Sequence, residues 1–377
     1  MNTYMPKDKI KWGIIGIGAM GADHAQTLIS NLVENAELQA ICDIDIKCKN
    51  KFPDIKFFTN SNDFFNDKNI DAVLIATPHT THVPLGIQSL KSGKHTLVEK
   101  PLAVTTKKCL ELINIANSCN VSFGVMLNNR TNPIYKTLKQ MITDNELGEI
   151  HRIQWTKTDW FRSNYYYSTS NWRASWKGEG GGVLINQSIH QLDLWQWLFG
   201  MPDSVHAHIN LGRFHNIEVE DDVTALFKYS NGSHGLFITT TGEAPGVNRL
   251  EVASDNGLMI IENNKMIWNK NEISTTEYLK RSKTPMEKPN IKIEELKFED
   301  TNFNLERKNI IQNFSNQILG IEKLFVDGKE GIYSVELMNT MIFSGLNNIE
   351  VNIPINSEKY EKKLNEMIAK NLINDRN

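Results

Sequence analysis

The first third of the chain alternates short apolar runs with segments of helical periodicity. Residues 10–18 are almost wholly apolar and lead into glycines, and further short strands are predicted at 37–42, 72–76, 95–98 and 122–126. Continuous short apolar runs separated by amphipathic helices are typical of buried parallel strands. We therefore expect a parallel α/β unit whose alternation ends near residue 126.

From residue 149 onward the pattern changes to longer strands with fewer helices. Strands are predicted at 150–158, 205–211, 223–229 and 235–240, and Asn231-Gly232 between the last two is a hairpin signal. Runs of strands joined by tight turns are typical of antiparallel pairing. This half of the chain is expected to form a large, mainly antiparallel sheet.

A glycine-rich stretch at 178–182 precedes a run that predicts a helix up to Gly200 and Pro202. At helical spacing, four of its side chains share one face: Asn186, His190, Asp193 and Trp197. An amide, an imidazole and a carboxylate on one face suggest a functional site. A solvated polar stripe or a satisfied core histidine is the alternative.

A chain of 377 residues is too long for one ordinary core and predicts two domains, 1–126 and 127–377. Towards the end, residues 271–300 are polar, contain two prolines and predict a loop. A helix is expected near 331–346, followed by a polar, lysine-containing tail. The predicted fold class is α/β, with a large, mainly antiparallel open sheet in a C-terminal α+β domain.

Composition and charge exclude several classes of function. The chain is 40% hydrophobic and 23% charged, as in soluble globular proteins, and its net charge is −3. This charge gives no reason to expect nucleic acid or an anionic membrane as partner. No stretch predicts a signal peptide or a membrane span, and four cysteines without metal spacing predict reduced thiols and no metal site. We expect a cytoplasmic protein.

The first strand ends in a glycine motif of the kind that binds dinucleotides. The stretch from residue 16 to 21 matches GxGxxG, and a helical pattern follows it. The first glycine permits a tight turn, the second lets the backbone approach a pyrophosphate, and the third allows close packing of helix and strand. The candidate cofactor-binding residues here are Gly16, Gly18, Ala19, Met20 and Gly21.

An aspartate follows the second strand at the position expected for a ribose ligand. Asp43 lies 22 residues after Gly21, close to the spacing of carboxylates that bind the adenosine ribose. A carboxylate there would repel the 2′-phosphate of NADP. The sequence therefore predicts NAD as the cofactor.

Two later strands end in polar residues at the edge where open α/β sheets bind ligands. Candidate cofactor-binding residues after the strand at 72–76 are Thr77, Pro78 and His82, although loop packing would equally explain His82. After the strand at 95–98 they are Glu99 and Lys100. Arg130, which follows the next strand, is a candidate substrate ligand.

The segment 160–176 is dense in Trp, Tyr and Arg. Aromatic faces and guanidinium forks suit a polyhydroxylated ring, which stacks through its C–H face and hydrogen-bonds through its hydroxyls. An aromatic subunit interface is the alternative. The candidate substrate ligands are Arg162, Tyr166, Trp172 and Arg173, together with Asn186 and His190 on the glycine-led helix.

Together these motifs resemble the Gfo/Idh/MocA family of sugar and cyclitol oxidoreductases. The resemblance rests on the glycine fingerprint, Ala76-Thr77-Pro78 with His82, Glu99-Lys100-Pro101, and the helix with His190 and Asp193. It implies an N-terminal Rossmann domain, a C-terminal domain whose open sheet serves oligomerisation as homodimer or homotetramer, and hydride transfer between a nicotinamide and a carbohydrate. It also implies catalytic roles for Lys100 and His190.

Many members of that family carry Asp four residues before the histidine, where this chain has Asn186. An amide cannot take up a proton, which places an acid/base relay through this position in doubt. His190 is expected to be the general base with Asp193 orienting it, although Lys100 could be the base instead. The function expected is oxidation of a secondary hydroxyl of a sugar, glycoside or cyclitol. An NAD-dependent glycosidase or a non-catalytic NAD-binding regulator is the alternative.

Overall fold

The computed structural model describes residues 9–170, 172–299 and 302–374, and these form two compact units. The first contains residues 9–131, 178–180 and 302–335, and the second contains 132–170, 172–177, 181–299 and 336–374. The predicted domain boundary after residue 126 stays a prediction. The first unit also takes in two later segments of the chain, which no local sequence pattern indicates.

The first unit is built on a six-stranded parallel sheet in the order β3-β2-β1-β4-β5-β6. Its strands are β1 Ile10–Ile15, β2 Ala36–Cys42, β3 Lys56–Phe58, β4 Ala72–Ile75, β5 His95–Val98 and β6 Phe123–Val125. The order reverses between β1 and β4, which is the point where ligands bind in doubly wound sheets. The predicted Rossmann architecture is confirmed, and only the short β3 was not predicted.

The helices of this unit are α1 Ala19–Ile29, α2 Ser61–Asn66, α3 His82–Lys91, α4 Thr106–Ser118 and, later in the chain, α10 Phe303–Ile318. Helix α10, which was not predicted, packs on β1. Its Ser315 hydroxyl accepts a hydrogen bond from the Trp12 indole at 3.0 Å, and its Phe314 ring lies 5.6 Å from that of Trp12. These contacts attach the late segment to the core of the sheet.

The second unit contains a nine-stranded sheet in the order β14-β13-β12-β11-β7-β10-β9-β8-β15. Its strands are β7 Ile150–Lys157, β8 Ser204–Leu211, β9 Glu220–Lys228, β10 His234–Thr240, β11 Asn248–Ser254, β12 Gly257–Glu262, β13 Lys265–Asn271, β14 Ile291–Lys297 and β15 Val351–Asn352. All neighbours are antiparallel except β7 and β10. The mainly antiparallel sheet and the hairpin between β9 and β10 are confirmed.

The remaining helices are α5 Pro133–Thr143, α6 Asn164–Ser168, α7 Val183–Asn186, α8 Ile189–Phe199, α9 Thr275–Arg281, α11 Gly331–Asn347 and α12 Ser357–Asn374. Helix α8 packs its buried Trp195 on the sheet, where the ring meets Phe227 of β9 edge to face at 4.8 Å. Burial of this aromatic face fixes α8 on the sheet. None of the helices in the described ranges has the length and apolar character required to cross a lipid bilayer.

Two predictions about local structure were wrong. The segment 271–300 is not a loop throughout, because it contains α9 and the edge strand β14. The continuous helix after the glycines is divided into α7 and α8 by a turn at Gln187 and Ser188. The Ser188 amide bonds the Val183 carbonyl five residues back at 2.8 Å, and its hydroxyl bonds that of Thr239 at 2.6 Å. Asn186 therefore does not share a helix with His190.

Candidate active site

The glycine loop between β1 and α1 has the shape required to hold a pyrophosphate. Gly16 has φ +90°, and a Cβ at Gly21 would lie 1.8 Å from the Gly16 carbonyl oxygen. A Cβ at Gly18 would meet nothing within 4 Å, so this residue faces open space at the start of α1. The exposed Gly18 and Ala19 and the half-buried Met20 thus present free backbone and the positive end of a helix to an anion.

Asp43, directly after β2, holds this loop in place. One of its carboxylate oxygens accepts the Ile17 amide at 2.6 Å, and the other accepts that of Asp45 at 2.9 Å. The Lys51 ammonium group donates to the Ile17 carbonyl at 2.8 Å. Because a carboxylate has about four acceptor positions, Asp43 retains capacity for ribose hydroxyls. The glycine loop and Asp43 fit NAD.

His82 connects the two other strand ends of the first unit. Its ring is 1% exposed, and its nitrogens lie 2.8 Å from the carbonyl oxygens of Thr77 and Pro101. Burial lowers the pKa of His82, although both carbonyl contacts act in the opposite direction. This is the environment of a residue that braces loops. Thr77 is half-buried and Pro78 is exposed at the carboxyl end of β4.

Glu99 and Lys100 follow β5, where a buried histidine fixes the carboxylate. The Nε2 of His24, on α1, lies 2.7 Å from a Glu99 oxygen, and the Lys100 amide donates to the other oxygen at 3.1 Å. Burial by itself raises the pKa of Glu99. The hydrogen bond and charge of His24, with Lys100 and Arg307, outweigh it and lower the pKa to about 2. Lys100 is half-buried and joined to Pro101 by a cis peptide bond.

In the second unit, a buried glutamate organises the start of the glycine-led segment. One Glu220 carboxylate oxygen accepts the amides of Gly182 and Leu184, at 2.8 and 3.1 Å. A Cβ at Gly182 would lie 1.9 Å from the Glu220 carbonyl oxygen, so only glycine fits there. Glu220 thus satisfies amides at the beginning of α7, which carries Asn186 at its end.

His190 and Asp193 both belong to α8. His190 is the second residue of the helix and is half-buried, and Asp193 lies one turn further on at 1% exposure. An Asp193 oxygen accepts the side-chain amide of Gln196 at 3.0 Å. The Asn186 side chain accepts a hydrogen bond from Gln187 at 3.2 Å. The predicted roles of Asn186, His190 and Asp193 stay predictions.

The aromatic segment forms a stack that we call the arginine–aromatic ladder, consisting of Trp160, Arg162, Tyr166, Arg173 and Trp172. The Arg162 guanidinium lies 5.5 Å from the Trp160 ring and 5.0 Å from the Tyr166 ring. The Arg173 guanidinium lies 4.8 Å from the rings of both Tyr166 and Trp172. The structure thus brings all four residues predicted in this segment into one cluster, although residue 171 lies outside the described part.

Arg130, predicted as a substrate ligand, belongs to the first unit and is 1% exposed. Its guanidinium forms an ion pair with Glu330 at 2.5 Å. This pairing accounts for the buried charge of Arg130 without a ligand. Its role as a substrate ligand remains untested.

Sequence reasoning missed several residues that hold the candidate ligands in place: His24, Glu220, Gln187 and His215. His24 had a visible signal, because Gly21, His24, Ala25 and Leu28 form the buried face of α1 at helical spacing. His215 bonds Asp221 at 2.9 Å and the Arg162 carbonyl oxygen at 2.8 Å. No local pattern indicates this contact or that of Glu220.

Comparison with protein families assigns both halves of the chain. Residues 10–127 match the model described as an oxidoreductase family with an NAD-binding Rossmann fold, and residues 135–260 match the GFO/IDH/MocA C-terminal domain. The two matches cover more than half of the chain. The chain belongs to the GFO/IDH/MocA family. The resemblance inferred from the motifs is confirmed, as is the NAD-binding character of the Rossmann unit.

Relatives within this family differ in activity. The chain is 32% identical over 202 residues to the uncharacterized oxidoreductase YdgJ of Escherichia coli (strain K12), covering 52% of this chain and 56% of that protein. It is 25% identical to myo-inositol 2-dehydrogenase of Thermotoga maritima, covering 67% and 75%. It is 29% identical to α-N-acetylgalactosaminidase of Shewanella oneidensis, covering 46% and 41%. The match to YdgJ thus spans little more than half of that relative.

A solved structure confirms the fold of nearly the whole chain. The WlbA dehydrogenase of Chromobacterium violaceum, in complex with NADH and UDP-GlcNAcA, matches with a TM-score of 0.79 at 24% identity. The match covers 93% of this chain and 97% of the other. Because the identity is below 25%, this likeness establishes the fold alone.

Proposed function

We propose that this protein is an NAD-dependent dehydrogenase that oxidises a secondary hydroxyl of a sugar, glycoside or cyclitol. The observation that carries the proposal is the arrangement after β5. Lys100 directly follows Glu99, whose carboxylate is held by His24 and by the Lys100 amide. His24 belongs to α1, the helix that begins at the glycine loop. The backbone that carries Lys100 is thus fixed at the carboxyl edge of an NAD-binding sheet, where ligands bind, and this supports a role in chemistry as well as in cofactor binding.

When bound, the nicotinamide supplies the acceptor for the hydride that leaves the substrate carbon. The protein must then take up the hydroxyl proton. In our proposal His190 accepts this proton, because imidazole titrates near neutral pH, and Asp193 orients it. Lys100 donates a hydrogen bond to the reacting oxygen and stabilises its developing negative charge. The reverse assignment, with Lys100 as base, is an alternative that the pH profiles of Lys100→Ala and His190→Ala distinguish.

The second candidate is a glycosidase that oxidises its substrate transiently and then eliminates the aglycone. It is favoured by the similarity to α-N-acetylgalactosaminidase, although the matched region is 46% of this chain. Such an enzyme would release free sugar without net formation of NADH.

We also propose that the protein self-associates through the outer face of the nine-stranded sheet. Register places Leu226, Leu236, Ile260 and Ile267 on one face, in a row with Gln154 and Glu251. Leu226 is 54% exposed, and the other three apolar side chains are half-buried. Four partly exposed apolar side chains that flank two polar ones suit contact with a second copy of the chain.

One experiment separates the two enzyme candidates and a non-catalytic regulator. The protein is incubated with NAD and a panel of sugars, glycosides and cyclitols, while NADH absorbance and products are followed together. A dehydrogenase forms NADH and a keto sugar in equal amounts. Free sugar without NADH would favour the glycosidase, and NAD binding without turnover of any panel member would contradict both enzymatic candidates.

A further inference from the structure

Two arginines differ from all others in the described part of the chain. Six of the eight described arginines lie within 4.0 Å of a carboxylate: Arg130, Arg152, Arg213, Arg249, Arg281 and Arg307. Arg162 and Arg173 have no carboxylate at that distance among the described residues. Both of these unneutralised guanidinium groups belong to the arginine–aromatic ladder.

The two charges are held close together. Each guanidinium carbon lies within 5.0 Å of the centre of the Tyr166 ring, so the two carbons are at most about 10 Å apart. Arg173 donates to the Tyr166 hydroxyl at 2.7 Å, and Arg162 donates to the Phe161 carbonyl at 2.9 Å. The Nε atoms of both arginines are buried and have no hydrogen-bond partner in the described part of the protein.

The ladder is fixed to its own unit from both sides. The Arg162 amide donates to the Thr241 carbonyl at 2.9 Å, and the same backbone carries the His215 contact described above. On the other side, Gln187 lies 3.5 Å from the Tyr166 hydroxyl and bonds Asn186 at 3.2 Å. The ladder thus borders the polar residues at the end of α7.

Two like charges that stack on one ring repel each other and lose hydration. Elsewhere in the chain this cost is offset by carboxylates, as with Arg213 and Asp222 at the neighbouring loop. A neutral sugar would offer only hydroxyls to the two guanidinium groups. A carboxylate or phosphate would satisfy the free donors with charge-assisted bonds and neutralise the repulsion.

We propose that Arg162 and Arg173 bind an anionic group of the substrate, so that the physiological substrate is an acidic sugar or polyol derivative. The anion is a carboxylate, as in a uronic or aldonic acid, or a phosphate, as in a sugar phosphate or nucleotide sugar. This inference rests on the proposed function for the oxidised hydroxyl, and it adds the recognition of charge at a separate position on the substrate.

The test compares matched pairs of ligands. Uronates, aldonates, sugar phosphates and nucleotide sugars are each measured beside the neutral parent sugar, by turnover with NAD and by calorimetric binding to the protein saturated with NADH. We expect at least one anionic member to bind about tenfold or more tightly than its neutral parent, the range of charge-assisted hydrogen bonds. The carboxylate and phosphate arms identify the source of the anion.

Arg162→Gln and Arg173→Gln should each reduce this preference towards equal binding, while NAD affinity stays unchanged. Arg281→Gln is the matched control, because it removes the same charge from an exposed pair on α9 and should leave the preference intact. Rising salt should also reduce the preference of the unmodified protein, which gives a readout that does not depend on how the variants fold.

The inference is wrong if no anionic ligand binds more tightly than its neutral parent, or if the glutamine variants keep the full preference. Efficient oxidation of neutral sugars would then leave the proposed dehydrogenase function standing. Conversely, preferential binding of anions without oxidation of any ligand would support the inference and contradict the proposed function.

Discussion

Glu99 organises its surroundings as a buried charge with two fixed partners. His24 holds one oxygen and the Lys100 amide holds the other, so the carboxylate connects α1 with the turn after β5. An ionised carboxylate is costly to bury without such partners. The lowered pKa of Glu99 therefore indicates a group that stabilises the turn while it remains charged.

This predicts that the protein loses folding stability as the pH falls below the ordinary pKa of a glutamate. Burial opposes ionisation of Glu99, but His24 and the nearby cations lower its pKa from 4.5 to about 2. A carboxylate with a lowered folded pKa contributes stability above its unfolded pKa and loses it as the pH falls. Melting temperatures measured against pH should show Glu99→Gln below the unmodified protein above about pH 4.5, with the difference vanishing towards pH 2. A constant difference over that range would contradict the assignment.

Lys100 and His190 are predicted to act on the reacting oxygen and its proton. Replacing either with alanine should lower kcat by roughly 10²–10⁴, the range of acid/base catalysis, and leave NAD affinity nearly unchanged. The dependence of kcat/KM on pH then distinguishes their roles. The general base causes the fall in kcat/KM at low pH, so this fall should disappear in the variant that lacks the base. Turnover of His190→Ala at the rate of the unmodified protein would exclude His190 as the base.

Asp43 is predicted to set the choice between NAD and NADP. The unmodified protein should prefer NAD. Asp43→Ser should bring the kcat/KM values for NAD and NADP closer together, because it removes the charge that repels a 2′-phosphate. The change also removes the bond to the Ile17 amide, so NAD itself should bind more weakly. Asp43→Asn, which keeps an acceptor for that amide, separates the two effects. Better use of NADP by the unmodified protein would contradict the prediction.

At the scale of elements, the turn between β1 and α1 provides a matched pair of glycine substitutions. Gly21→Ala places a methyl group 1.8 Å from the Gly16 carbonyl oxygen and should cost about 1–3 kcal/mol of stability. Gly18→Ala meets nothing within 4 Å and should leave the melting temperature unchanged, but it should weaken NAD binding by obstructing the pyrophosphate. Equal NAD affinity in Gly18→Ala would show that the cofactor does not approach this residue.

The sequence predicted the elements whose signals are local. Strand β5 was predicted with its observed bounds, because the short segment lies between two helical patterns in an alternating α/β stretch. The division between α7 and α8 could not be predicted, because it depends on the Ser188 hydroxyl meeting Thr239, 51 residues away. Strand β3 has three residues, too few for a periodic signal. Segment 271–300 was wrongly predicted to be a loop, because its two prolines and polar composition are typical of loops although the edge strand β14 follows them.

The same distinction applies to the candidate site. The glycine loop, Asp43, Lys100 and His190 belong to short motifs and were singled out as candidates. Their supports were not, because His24 and Glu99 are 75 residues apart and Glu220 reaches Gly182 across 38 residues. Motifs thus identify candidate chemistry, whereas the contacts that position it form only when distant segments pack together.

At the scale of the whole molecule, the nine-stranded sheet divides its side chains between two different environments. On the inner face, Phe237 opposes Ala225 and Trp155, and all three are buried. On the outer face, Leu226 and Leu236 oppose each other with partial exposure. One face thus forms a core, and the other presents partly exposed apolar side chains that the proposed self-association would bury.

Leu226→Glu should therefore dissociate the protein while leaving its fold intact. The side chain is 54% exposed, so a charge there costs little in the isolated chain but would be desolvated in a subunit contact. We expect light scattering coupled to size-exclusion chromatography to show a smaller particle for this variant, with an unchanged circular-dichroism spectrum. Leu32→Glu, at a comparably exposed leucine of the first unit, is the control and should keep the size of the unmodified protein. The outer face of the sheet is not the subunit contact if the unmodified protein is monomeric. The same follows if Leu226→Glu forms a particle of the same size as the unmodified protein.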